Sequence, residues 1–303
     1  MTLLRSRTVP VLLLVCAVAL ALVATLAPTA DAAKRKRKRA VTWAPAATAT
    51  ITPGVQMYTD GGQCTANFVF TDRNGGVYVG YAAHCAGLGA ATDTNGCGQA
   101  SVPISTPVTF ERGGSLLTSG TVLGRGTLAY SSWETMNRIG TSDPVVCSFN
   151  DFALVKVAGS DVSKVNPSIP FWGGPTGIDT DGLGAGESVW SYGNSSLRAG
   201  LELLSPKQGI SLGDDAADGG WSHLLYTVTP GIPGDSGSAF LSADGKAVGT
   251  LSTLGLTPVP AVEQHRRPLP RAGLRAAALR HPRPQAGAGH GAVLAAVLRR
   301  LLV

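Results

Sequence analysis

Between Cys64 and Cys85 the chain reads CTANFVFTDRNGGVYVGYAAHC, two runs of β-branched and aromatic residues on either side of Asn74-Gly75-Gly76. This is the pattern of a β-hairpin, with the Asn-Gly pair supplying the left-handed backbone a tight turn needs. Folding the hairpin back brings its flanking cysteines close to each other. Apart from Cys16, which lies in an apolar leader, the chain has Cys64, Cys85, Cys97 and Cys147. Four cysteines permit three pairings, and an even count in an exported chain implies two disulfides. The hairpin favours Cys64 with Cys85, which leaves Cys97 with Cys147. No Cys-x-x-Cys pair is present and no histidines cluster with the cysteines, so no metal site is expected.

The same pattern recurs downstream. AFLSADGKAVGTLS turns about Asp244-Gly245, and GTLAYSS, DFALVKV, ESVWSYG and HLLYTVTP are short apolar runs set apart by Gly, Asn, Asp and Pro. With 39 Gly and 19 Pro, the chain suits many short strands and not a helical bundle. No repeat of fixed period is visible, and VNPSIPFWGGPTG (165–177) is the natural connection between two halves.

At the N-terminus, Arg5 and Arg7 precede VPVLLLVCAVALALVATLA and the small-x-small site Ala30-Asp31-Ala32, the layout of a secretory signal over residues 1–32. No stable membrane anchor is expected elsewhere. KRKRKR (34–39) places a basic, disordered segment over residues 33–52. The formal charge of +6 is set by the two ends, since residues 40–263 hold nine basic against 18 acidic side chains. An acidic body excludes a nucleic-acid footprint spread over the domain.

The stretch PGIPGDSGSAF sets Asp235 beside Ser236 between two glycines, just before an apolar run. A serine that attacks a carbonyl must lose its proton, so it needs a base within reach and a third group to orient that base. Between the leader and the tail only His84 and His223 are available. His84 ends the apolar run VYVGYAA, a fixed place at a strand end, whereas His223 in GWSHLLYTV reads as an ordinary strand or edge residue. Asp151 opens the apolar run FALVKV, where a charge needs a partner; Asp143 and Asp161 lie in polar stretches and read as solvated.

The segments YAAHC, NDFALV and GDSGSA, in that order, resemble the three signature segments of chymotrypsin-like serine proteases, and the likeness covers residues 55–260. In appearance the chain is most similar to secreted actinobacterial members. The resemblance implies two antiparallel six-stranded β-barrels with the active site between them, over residues 53–164 and 165–263. It implies that Ser236 is the nucleophile, His84 the general base and then acid, and Asp151 the group that fixes the imidazole. The backbone N–H groups of Gly234 and Ser236 would form the oxyanion hole. The base role predicts that activity is lost on acidification, as the imidazole protonates.

In the family the Asp before the nucleophile is buried in an ion pair, so Asp235 is expected to be structural. No IVGG-like start is visible to supply the partner, and an internal arginine such as Arg138 is a candidate. Pro230, six residues before Ser236, takes the position at the base of the specificity pocket, which argues against a preference for Lys or Arg. Ile232 replaces a cysteine found in many relatives, and Ser238 replaces the last glycine of the motif. VGTLSTLG resembles the strand that pairs with substrate, with Ser252 at the position whose carbonyl binds it.

From Gln264 to Val303 there is no Asp, Glu, Lys or aromatic residue, unlike the closing elements of the family. A shifted reading frame and a genuine basic, disordered tail are the two explanations; an incomplete second barrel would leave Ser236 misplaced. The expectation is therefore a secreted, all-β, monomeric serine endopeptidase acting on protein or peptide substrates without cofactor, with a catalytically silent secreted binding protein as the alternative.

Overall fold

The computed structural model describes residues 41–266 apart from 61, 73, 91–94, 116, 119, 215–217 and 256–261. The expected signal, the KRKRKR run and most of the atypical tail lie outside the described residues. Among the described residues the architecture is all-β, with thirteen strand segments in two antiparallel sheets and little helix. Among the described residues no helix is long and apolar enough to cross a membrane.

The first sheet is built from β1 (Gln56–Thr59), β2 (Gly62–Thr65), β3 (Val69–Thr71), β4 (Val77–Tyr81), β5 (Pro107–Arg112), β6 (Thr121–Ser131) and β7 (Ala153–Val157), in the order β2-β1-β5-β6-β7-β4-β3. Six strands were expected and seven segments are found, because one stretch is bent. The two edges, β2 and β3, are consecutive parts of residues 62–71. At the bend the Ala66 N–H donates to Val55 O at 2.9 Å, on the β1 side, and the Asn67 N–H to Gly80 O at 2.8 Å, on the β4 side. One stretch thus joins both edges of a curled sheet. Gly80 interrupts an apolar strand for a steric reason: a Cβ there would collide with Asn67 Oδ1 and the Phe70 ring. Met57, Val79, Tyr81, Phe110, Leu128 and Val155 fill the interior.

The β3–β4 hairpin turns where the sequence places it, pairing Val69 with Val79 and Thr71 with Val77. Asp72 holds the turn by accepting from the N–H groups of Asn74 (2.7 Å) and Gly76 (2.8 Å) and from the Tyr78 hydroxyl (2.9 Å). Burial pushes the Asp72 carboxyl up, but these donors, with the Lys156 charge, outweigh it and hold the group below the usual carboxylate range. A depressed folded-state pKa stabilises above the unfolded value and is lost as pH falls through the folded one. Asp72→Ala is expected to cost about 1 kcal/mol at neutral pH. The difference from the parent, measured by urea unfolding, should shrink as the solution is acidified below the usual carboxylate range.

The second sheet is a closed barrel in the order β10-β13-β12-β11-β8-β9. Its strands are β8 (Ser188–Tyr192), β9 (Pro206–Asp214), β10 (Ser222–Thr227), β11 (Ala239–Ser242), β12 (Ala247–Gly255) and β13 (Val262–Arg266). Val189, Leu225, Phe240, Val248 and Leu251 form its core. The closing strand β13 pairs with both β10 and β12 and runs past the expected boundary at 263 into the stretch that reads as atypical. Between the sheets, Phe68, Phe70, Tyr130 and Phe152 pack with Ile169 and Leu241.

Residues 41–52 correct the expected disordered segment. Ile51 is fully buried and bridged to Val165, the Ala44 N–H donates to Val165 O at 2.9 Å, and Val41 and Trp43 pack on the first core. Their apolar side chains separate them from the basic run before them. The disulfides are Cys64–Cys85 and Cys97–Cys147. The second ties the segment after His84 to α2 (Pro144–Phe149), which follows α1 (Ser132–Ile139).

Candidate active site

His84 sits on a single helical turn, Ala83–Ala86, directly after β4, so a fully buried strand fixes where its backbone lies. Asp151 lies between α2 and β7 and is 2 % exposed. The two meet twice. Asp151 Oδ1 accepts the backbone N–H of His84 at 2.8 Å, and Oδ2 lies 2.8 Å from His84 Nδ1. An ionised carboxylate only accepts, so Nδ1 carries the ring proton of the neutral imidazole and Nε2 is left with a lone pair. The Ser252 hydroxyl, from β12 of the other barrel, also donates to Asp151 Oδ2. The strand resemblance implies a backbone role for Ser252; its side chain, reaching across 101 residues of chain, has no local signature.

Ser236 is partly buried in the loop before β11. Its carbonyl accepts the N–H of Thr65, on β2, at 2.8 Å. A Cβ at the next residue, Gly237, would fall 2.9 Å from Ala82 N and 3.2 Å from Tyr81 Cβ. The nucleophile candidate is therefore pressed against the strand end that carries His84, and only glycine, here at a φ of 88°, allows the approach. His84, Asp151 and Ser252 meet where the barrels face each other, and the Ser236 loop packs beside the end of the strand that leads to His84.

Asp235 is fully buried and holds two cations. Arg198 Nη2 lies 2.5 Å and Lys207 Nζ 3.0 Å from Oδ2, and both cations are buried. Arg138, the candidate partner, is corrected: it is half exposed and pairs with Glu134 one turn away on α1. Asp235 also accepts the N–H groups of Ser195 (3.0 Å) and Ile232 (3.2 Å). Pro230, exposed, gives its carbonyl to Lys207 Nζ at 2.8 Å and to Arg198 Nη2 at 3.1 Å. The position expected at the base of a pocket is thereby tied to the same ionic cluster.

The Gly234 and Ser236 N–H groups donate to no acceptor among the described residues. Gly234 has a φ of 95°, open to glycine and strained for other residues. Its carbonyl accepts Gln63 Nε2 at 3.0 Å and the Thr65 hydroxyl at 2.8 Å, so β2 of the first barrel grips the loop of the second. Gln63 was not singled out in the sequence, where nothing marks a polar residue on a short strand as a clamp.

The remaining candidates are placed elsewhere. His223 is buried on β10 with Nδ1 on Asp214 Oδ1. Asp143 caps α2 through the N–H groups of Val145 and Val146, and Asp161 pairs with Lys164 at 2.8 Å. Cys64, His84 and Cys85 present ligand-type atoms within 4.8 Å of one another, but the cysteines are joined in a disulfide, which has no thiolate to offer a metal.

No protein-family model matches the sequence, and no curated protein does. Among solved structures, the chain is similar to Thermobifida fusca Protease A (16 % identity, TM-score 0.43, over 72 % of this chain and 91 % of that one). It is also similar to Nocardiopsis Protease (17 %, 0.42, 72 % and 92 %). A third is Cellulomonas bogoriensis chymotrypsin (20 %, 0.38, 72 % and 91 %).

Proposed function

We propose that this protein is a secreted serine endopeptidase with Ser236 as nucleophile, His84 as base and acid, and Asp151 as the orienting carboxylate. The observation that carries the reading is the double contact of the buried Asp151 with His84, beside the loop that holds Ser236. Ser236 Oγ attacks the scissile carbonyl carbon as its proton passes to His84 Nε2, and the carbonyl π electrons move onto oxygen. The resulting oxyanion takes hydrogen bonds from the Gly234 and Ser236 N–H groups. Collapse expels the amine, which leaves with the proton from Nε2, and water repeats the sequence to release the acid from the acyl-enzyme. No step calls for a cofactor. Pro230 offers no charge, so the pocket favours small or apolar side chains. The leader at residues 1–32 and the paired cysteines support export, where the substrates are proteins or peptides.

The test is fluorophosphonate labelling of the exported protein beside Ser236→Ala, with intact masses read in the same run. One phosphonyl group on the parent and none on the variant is the expected result. A folded parent of correct mass that takes no label would sink the reading and leave the alternative, a catalytically silent binding protein on the same scaffold.

A further inference from the structure

The loop that carries Ser236 has three consecutive carbonyls held by side chains. Ser195 Oγ donates to Pro233 O at 2.5 Å, Gln63 and Thr65 donate to Gly234 O, and Ser238 Oγ donates to Asp235 O at 2.7 Å. The first and third of these matter in a particular way. The Pro233–Gly234 peptide carries the Gly234 N–H, and the Asp235–Ser236 peptide carries the Ser236 N–H. Neither bond is cis. In a planar trans peptide the N–H points opposite to the C=O, so pinning the carbonyl aims the donor.

We propose that Ser195 and Ser238 are positioning residues that each aim one of the two oxyanion donors. This rests on the endopeptidase reading. Ser195 and Ser238 are buried, at 1 % and 0 % exposure, so water does not compete for these bonds. Ser195 is in turn fixed at both ends: its N–H donates to Asp235 Oδ1, and its hydroxyl oxygen accepts the Leu197 N–H at 3.0 Å. The ionic cluster at Asp235 therefore acts on the Gly234 donor through Ser195. Ser238 stands where the family motif has glycine, and its hydroxyl joins its own N–H, 3.0 Å from Asp235 O, in holding the second peptide. The substitution adds a second donor to that carbonyl.

Ser195→Ala and Ser238→Ala are the test variants, with Ser195→Thr restoring a hydroxyl. Removing an oxyanion donor outright costs 10²–10³ in kcat in other proteases, so a donor retained but no longer aimed is expected to cost about tenfold in Ser195→Ala, and less in Ser238→Ala, where the backbone N–H of residue 238 still holds Asp235 O. The loss should fall in kcat with KM nearly unchanged, and Ser195→Thr should recover most of it. A second readout needs no turnover. In 15N-labelled protein, Ser195→Ala should shift and broaden the Gly234 amide and leave that of Ser236, and Ser238→Ala should do the reverse. If the parent neither labels nor hydrolyses, the endopeptidase reading fails and the amides alone judge the aiming. Amides that do not respond, or a loss confined to KM, would overturn the proposal.

Discussion

Asp235→Ala should be among the most destabilising single substitutions in this protein, removing about 3–5 kcal/mol of folding free energy. The size comes from what is left behind. Arg198 is 8 % exposed and Lys207 is fully buried, and the carboxylate lies 2.5 Å from one and 3.0 Å from the other, so it offsets one of their two positive charges. Taking it away removes a buried negative charge from beside two desolvated cations, a cost that falls within a total stability of about 5–15 kcal/mol for a typical domain. Asp235→Asn fills the same space and is expected to be nearly as damaging, because the charge is what matters. Lys207→Met should be mild, since it removes one cation, keeps the aliphatic stem buried and leaves the Arg198 pair intact. Arg138→Ala, which breaks only an exposed pair one helical turn long, should cost about 0.3–0.5 kcal/mol. Urea unfolding of the four variants at neutral pH measures all of this. An Asp235→Ala variant within about 1 kcal/mol of the parent, below the range expected for a broken buried pair, would show that the cluster does not hold the loop. In whatever fraction of Asp235→Ala remains folded, the Ser195 and Ile232 N–H groups lose their acceptor, so labelling of Ser236 should be lost along with stability.

The parts of this site that can be read from sequence are those whose signals are local. His84 follows a run of apolar strand residues, Asp151 precedes one, and Ser236 sits between glycines that only a tight turn requires. The Asn74-Gly75-Gly76 hairpin, and with it the Cys64–Cys85 pairing, is local in the same sense. What escapes is carried by contacts between distant residues or by patterns that invert. On β9, alternation would turn Ile210 and Leu212 inward, yet they are 43 % and 47 % exposed while Lys207 and Ser211 are buried. The strand turns its polar face in because Asp235 is there to meet Lys207, and nothing within PKQGISLGD signals that partner. Arg198 and Gln63 are hidden for the same reason: each is an ordinary polar residue until a loop about 37 or 171 residues away arrives beside it. The bend at Ala66–Phe68, which turns six expected strands into seven segments, depends on the packing of Asn67 against Gly80 across the sheet. Strand β13 escapes differently, since it lies at the edge of a compositionally odd stretch and takes its strand state from the β10 and β12 edges between which it closes the barrel.

On the proposed endopeptidase reading, Asp151→Asn should lower kcat by about 10⁴ while leaving the fold intact, the largest catalytic effect expected here short of removing Ser236 or His84. One proton decides the effect. Asp151 Oδ2 accepts from His84 Nδ1 and from the Ser252 hydroxyl, and Oδ1 from the His84 N–H, so toward these groups the carboxylate only accepts. An asparagine in its place must present an N–H₂ to one side. If the amide oxygen stays on the His84 N–H, the N–H₂ faces Nδ1, which then serves as acceptor, and the ring proton moves to Nε2. That nitrogen can no longer take a proton from Ser236. Ser252→Ala separates this tautomer effect from a plain loss of hydrogen bonding, because it removes one donor to the carboxylate and leaves Nδ1–H in place. It should cost about 1.5–3 kcal/mol of stability and far less activity than Asp151→Asn. Steady-state rates on a peptide amide, with circular dichroism on each variant, distinguish the two. If both variants lose activity in proportion to stability, Asp151 is a buried structural acid and the proposed base, His84, is oriented by something else.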